Sequence, residues 1–261
     1  GCLEFRGDAL ELGHYAYDLD QSVTRCVLDG RQGRGGVTNG EYTESGIEFS
    51  VRTPANYDST RSHPLFMVYA PAGSSRFRSE RFAELTFEAT SVGFVVAYAD
   101  ARRLSIDVIS DLGTVPQLIA KKWCIDEKRI YLTGHSDGGT VALALALLDE
   151  TRNIPAAIVS SAAGFTKADL DTFSCPDALP AMILHSADDQ LFPGFGAKIA
   201  SWIAACNGCE EHTGEKDKNG CMAYSGCKAG GHTVYCEGSG SHIEWPAFNT
   251  ALLSFLADTR Q

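Results

Sequence analysis

Gly134-His135-Ser136-Asp137-Gly138 decides how this chain is read, because of what stands on either side of it. Arg129-Ile130-Tyr131-Leu132-Thr133 precedes it, a short β-branched and aromatic run that predicts a strand. Gly139-Thr140 follows, then an unbroken apolar run from Val141 to Leu148, too short to span a membrane and suited to a buried helix. A Gly-x-Ser-x-Gly set between a strand and a helix is a nucleophile elbow. The serine sits on a sharp, strained turn, and glycine on both sides removes Cβ atoms that would collide there. Five such residues recur by chance; the strand before and the helix after make the match specific. Ser136 is the candidate nucleophile.

A serine hydroxyl attacks poorly until a histidine takes its proton and a carboxylate orients that histidine. In chains with this elbow the order is Ser, then Asp or Glu, then His, the last two on loops after later strands. Ala181-Met182-Ile183-Leu184-His185 predicts a strand running into Ser186-Ala187-Asp188-Asp189, which makes Asp189 the candidate acid. His242, in Gly238-Ser239-Gly240-Ser241-His242, follows a strand over 233–236 and precedes the last helix, and is the candidate base. His232 is a rival that precedes that strand. His185 is expected to pack or hydrogen-bond beneath the acid loop, and His135 to point away from the nucleophile. An oxyanion needs two backbone N–H groups. Asp137, directly after the nucleophile, supplies one. Ala72 in Ala70-Pro71-Ala72-Gly73-Ser74 supplies the other, since Pro71 has no N–H.

Outward from the elbow, strands alternate with helices. Apolar or alternating runs predict strands at 47–51, 65–69, 94–98, 156–160 and 181–184, and helical spacing marks 79–91, 106–122, 197–206 and 246–256. The helix over 106–122 is interrupted or kinked near Gly113 and Pro116. Such alternation implies an α/β fold, a mostly parallel central sheet flanked by helices on both faces. Ligands bind at the carboxyl ends of those strands, where Ser136 lies. Residues 1–40 read as an N-terminal arm, with a loop over 30–40, and 41–261 as a single catalytic domain.

With 261 residues, 44% of them hydrophobic and 21% charged, the chain can bury a substantial core. A formal net charge of -11 argues against nucleic acid and anionic membranes as partners. No segment has the length of a membrane span, and no basic-then-apolar signal sequence is present. The sequence begins Gly1-Cys2, so an export signal would already have been removed. That start also has the form of a bacterial lipoprotein processing site, although a structural Cys2 is the preferred reading.

Nine cysteines point to an oxidising compartment, secreted or periplasmic. Five of them, Cys206, Cys209, Cys221, Cys227 and Cys236, fall in or beside a polar, Gly-rich excursion over 207–231. Zinc is the alternative, with Cys206-x-x-Cys209, Cys221, Cys227, His232 and Cys236 as ligands. The later spacings lack a second close pair, so disulfides are preferred and no metal is expected. Cys206 lies in the stripe Ile199, Trp202, Ile203, Cys206, which predicts a buried free thiol and leaves eight cysteines to pair.

From about Tyr42 onward the chain resembles the secreted α/β-hydrolases that include feruloyl esterases and polyhydroxybutyrate depolymerases. The resemblance rests on Gly93-Phe94-Val95-Val96-Ala97-Tyr98, on Cys124-Ile125-Asp126 running into Arg129–Gly134, on Asn207-Gly208-Cys209, and on Gly240-Ser241-His242 followed by Trp245-Pro246. It implies the α/β-hydrolase fold and a serine carboxylesterase without metal or organic cofactor. The implied substrates are plant-wall aromatic esters, with polyhydroxybutyrate-type polyester and acetylated xylan as alternatives. Two departures stand out. Ala70-Pro71 replaces the family's usual His-Gly, so the oxyanion loop is expected to be rebuilt. Two residues, not one, separate His242 from Trp245, so Trp245 is not expected to line the site in the usual way. Phe77 and Tyr224 are candidates to stack on a phenolic acyl group.

Overall fold

The computed structural model describes residues 13, 15–16, 25–27, 31–210 and 214–259. The chain forms two compact units, 1–131 and 132–261.

In the first unit, β1 (Val37–Tyr42), β2 (Glu48–Arg52), β3 (His63–Tyr69) and β4 (Val95–Ala99) lie in the order β1-β2-β4-β3, and β3 is followed in the sheet by β5 (Ile125–His135). β1 and β2 are antiparallel, as are β2 and β4, whereas β3 and β4 are parallel. The continuous apolar runs predicted to be covered on both faces are buried along their whole length in β3 and β4. Helices α1 (Arg76–Ala83) and α3 (Ile106–Leu112) begin at Ser75 and Ser105, whose hydroxyls accept the N–H groups of Arg78 and Val108. The interruption predicted near Gly113 and Pro116 is a complete break. α3 ends at Gly113, and α4 (Val115–Lys122) restarts with Pro116 in its first turn, where a missing N–H does no harm. The short α2 (Thr86–Ser91) packs by β4. A Cys26–Cys124 disulfide ties the arm to the start of β5.

The sequence reading ended the arm's loop at residue 40, but β1 already begins at Val37 and pairs with Arg52. Gly36 and Gly40 hide the strand by diluting its apolar alternation, and a register shift between Thr38 and Glu41 disturbs it further. Cys2, and with it any lipid anchor, lies outside the described residues.

In the second unit the order continues from β5 as β6 (Ala157–Ser161), β7 (Ala181–Ser186), β9 (Thr233–Gly238) and β8 (Cys221–Ala223). β6, β7 and β9 run parallel, and the three-residue β8 closes the edge antiparallel to β9. Every residue from Val141 to Leu147 of α5 (Asp137–Leu147) is buried, as its unbroken apolar run predicts. α6 (Lys167–Leu170), α7 (Phe195–Cys206) and α8 (Asn249–Asp258) complete the unit. The mixed, mostly parallel sheet with interspersed helices is the fold class expected from the sequence.

Three disulfides lie in this unit: Cys175–Cys206, Cys209–Cys227 and Cys221–Cys236. Cys206 is therefore bridged, which corrects the free-thiol expectation. Its place in the helical stripe signals burial correctly, and it is only 7% exposed. Burial does not distinguish a thiol from a half-cystine, however. Among the described residues eight cysteines are bridged, Cys206 among them.

Candidate active site

The elbow is built by close backbone approach. Ser136, between β5 and α5, has φ 56° and ψ -119°, a conformation that L-residues adopt only under constraint. A Cβ on Gly134 would run into the backbone of Gly138, and one on Gly139 into the carbonyl of Ser161. The Gly139 requirement was not read from the sequence, since it depends on how near α5 passes to β6. Ser136 N–H donates to the Ser161 carbonyl at 2.9 Å, which fixes the turn to the end of β6.

Asp189 and His242 meet this serine. His242 Nε2 is 2.8 Å from Ser136 Oγ, and His242 Nδ1 is 2.7 Å from Asp189 Oδ2. A carboxylate only accepts, so Nδ1 carries the proton, and Nε2 is left to accept from the serine hydroxyl. Asp189 is 1% exposed, and its other oxygen accepts the N–H groups of Leu191 and Phe192 at 2.9 and 2.8 Å. Burial pushes this carboxyl up, but the Phe192 N–H and the His242 hydrogen bond and charge outweigh it. The net effect holds Asp189 below the usual carboxylate range. Its neighbour Asp188 points into solvent. Phe192 stands edge-on to His242, with ring centroids 4.9 Å apart, and stacks on Phe195 at 5.3 Å.

Asp137, next to Ser136, is the first residue of α5, so its N–H has no carbonyl within the helix to meet. Desolvation raises the Asp137 carboxyl above its ordinary value, with His242 opposing. Ala72 occupies the exposed turn after β3 that Ser74 N–H closes on the Pro71 carbonyl at 3.0 Å.

The other histidines separate by environment. His185 is 2% exposed, and its Nε2–H donates to the Phe192 carbonyl at 2.9 Å, so it props the acid loop from beneath as expected. His232 is exposed and stacks on Phe255. The sequence expectation that His135 points away from the nucleophile says nothing of what the ring meets: its Nε2 is 2.6 Å from the backbone carbonyl of His242. Trp245 lies beside His135, with centroids 6.1 Å apart, and its indole N–H donates to Asn249 Oδ1. Phe77 and Tyr224 have local partners: the Arg76 guanidinium lies 4.3 Å over the Phe77 ring, and the Tyr224 hydroxyl is 3.3 Å from Ser201 Oγ. The thiolates of the zinc alternative are joined in disulfides. Among the described residues no helix is long and apolar enough to cross a membrane.

No family model matches the chain. It is similar to feruloyl esterase B of Piromyces equi, 25% identical over 231 residues that cover 74% of this chain and 42% of that protein. It is also similar to feruloyl esterase D of Neurospora crassa, 22% identical over 241 residues, 79% of each chain. The chain thus spans less than half the length of the first of these relatives. Among solved structures, the acetyl xylan esterase from Aspergillus awamori matches with a TM-score of 0.62 at 13% identity, over 85% of this chain and 99% of that one. That likeness shows the fold, which is the α/β-hydrolase fold, and the sequence similarity is to the feruloyl esterase group.

Proposed function

We propose that this protein is an exported serine carboxylesterase that hydrolyses plant-wall aromatic esters of the feruloyl type. The observation that carries the reading is the hydrogen-bonded line Ser136–His242–Asp189 at the end of the parallel sheet. Ser136 Oγ attacks the ester carbonyl while its proton passes to His242 Nε2, and Asp189 accepts from Nδ1–H and balances the imidazolium. The negative oxygen of the tetrahedral intermediate is held by the Asp137 N–H, with the Ala72 N–H proposed as the second donor on sequence grounds alone. Collapse expels the alcohol, which takes the proton from His242, and leaves an acyl-enzyme. Water then attacks with His242 as base, freeing the acid and restoring Ser136.

None of these steps calls for a metal or organic cofactor. The aromatic-ester preference rests on the similarity to proteins named feruloyl esterases. Hydroxybutyrate polyester and acetylated xylan are the competing substrates. Four disulfides support an extracellular or periplasmic site of action. Comparing kcat/KM for methyl ferulate, p-nitrophenyl acetate and a hydroxybutyrate oligomer tests the substrate, methyl ferulate being expected to lead. A tenfold advantage for the oligomer would replace the aromatic reading with a polyester one. Ser136→Ala is expected to lower kcat by about four to six orders of magnitude in a folded protein. Activity within tenfold of the parent would end the triad reading.

A further inference from the structure

His242 sits on a loop without regular structure between β9 and α8, and Gly240 within it has φ 118°. Such a loop has no ladder to hold a catalytic ring in register. What meets its backbone at His242 is the side chain of His135, the last residue of β5, 3% exposed. A carbonyl oxygen only accepts, so His135 Nε2 carries the proton and donates to the His242 carbonyl at 2.6 Å. His135 Nδ1 then has only a lone pair to offer, and it accepts the hydroxyl of Ser161 at 2.9 Å. Ser161 is the same residue whose carbonyl accepts the Ser136 N–H. Nucleophile and base are thus indexed to one residue at the end of β6, the first through its backbone and the second through His135. Burial keeps His135 neutral at working pH, pushing its ring down to about 4, so this single-tautomer arrangement persists.

This brace matters unequally in the two halves of the reaction proposed above, on which the inference rests. During acylation, Ser136 donates a hydrogen bond to His242 Nε2 and helps to aim the ring. In the acyl-enzyme, Ser136 Oγ is an ester oxygen with no proton to donate, so that bond is gone. His242 must still direct its Nε2 at the incoming water, held through Asp189 on one side and through its own backbone on the other. We propose that His135 is a positioning residue for deacylation: by clamping the His242 carbonyl to Ser161, it holds the general base in place when Ser136 is acylated.

Stopped-flow hydrolysis of p-nitrophenyl acetate separates acylation, read from the burst of p-nitrophenol, from deacylation, read from the steady state. His135→Phe keeps a ring of similar size and removes both nitrogens. It is expected to slow deacylation at least tenfold and acylation less than threefold, so that kcat and KM fall together and a burst grows. His135→Gln carries an amide N–H at the place of Nε2 and is expected to restore deacylation to within threefold of the parent. His135→Asn reaches Ser161 but not the His242 carbonyl, and is expected to behave like His135→Phe. The Gln and Asn pair decides the matter if the Phe variant does not fold. Equal losses in both steps, no loss in either, or a folded His135→Gln as slow in deacylation as His135→Asn would overturn the brace. Ser136→Ala distinguishes the two levels. If it remains active, the triad reading falls and the brace with it. If it is dead and the variants show no split between steps, only the brace falls.

Discussion

Replacing Cys175 and Cys206 together by alanine removes one cross-link and leaves no new thiol to exchange with the bridges at Cys209–Cys227 and Cys221–Cys236. The bridged residues are 31 positions apart. For a loop of that length, the entropy withheld from the unfolded chain is about 12 cal/mol/K, or about 3.7 kcal/mol at 25 °C. Unfolding entropy near the midpoint is about 2.1 cal/mol/K per residue, so all 261 residues melting together give about 0.55 kcal/mol/K. The midpoint is then expected to fall by about 7 °C, and by about twice that if the second unit melts alone. This end of α7 is held by hydrogen bonds as well as by the bridge. Asn207, directly after it, accepts the Leu179 N–H and donates to the Leu179 carbonyl and to Thr233 Oγ1. Stability should therefore fall while esterase turnover at 25 °C stays within twofold of the parent. Thermal melts by circular dichroism, urea titration at 25 °C and a p-nitrophenyl acetate assay measure all three quantities. A midpoint change under 2 °C would refute the reasoning, as would alkylation and mass measurement finding Cys175 and Cys206 free in the parent.

Three further expectations concern the site. Asp189→Asn should lower kcat by about four orders of magnitude because the wrong histidine tautomer is held, whereas Asp188→Asn, out in solvent, should stay within threefold; a reversed order would move the acid by one residue. His242→Ala should abolish turnover and His232→Ala should leave it intact, since His232 is exposed and stacks on Phe255; loss of turnover in the second variant would contradict the assignment of the base. Finally, His135 is held near 4 when folded against an ordinary 6.5, so the unfolded chain takes up its proton first and stability drains as pH falls from about 6.5 to about 4. Between pH 7 and 5 this one group removes about 2 kcal/mol, which urea unfolding should show as a smaller acid loss in His135→Gln than in the parent; identical losses would mean the ring is not held neutral.

The parts of the molecule that were legible in the sequence are those where one local constraint forces residue type. Ser136 stands out in the sequence because the Gly-x-Ser-x-Gly spacing marks a tight turn, at which a Cβ on Gly134 would meet the Gly138 backbone. Asp189 and His242 stand out as candidates because each follows a strand in the order the elbow demands. Continuous apolar runs gave β3, β4 and α5 for the same reason: a segment covered on both faces has no polar positions. What was not legible depends on distant partners. His135 acts on a backbone carbonyl more than a hundred positions away, and a carbonyl leaves no trace in residue identity. Cys206 reads as buried from its helical phase, but its partner Cys175 lies in a loop without period. β8 is three residues long, too short to show alternation, and is held to β9 partly by the Cys221–Cys236 bridge.

The backbone of Ser136 has a consequence for anyone evolving this protein. A serine at φ 56° stores of the order of 1–3 kcal/mol of conformational energy that glycine in the same place would release. Folding yield and chemistry therefore favour different residues at this position. A library ranked only by solubility or heat resistance is under steady pressure to discard the hydroxyl of the proposed nucleophile. Screens of this chain need an activity gate from the first round, because survivors of a purely thermal sieve will be enriched in well-folded proteins without the serine that the proposed reaction requires.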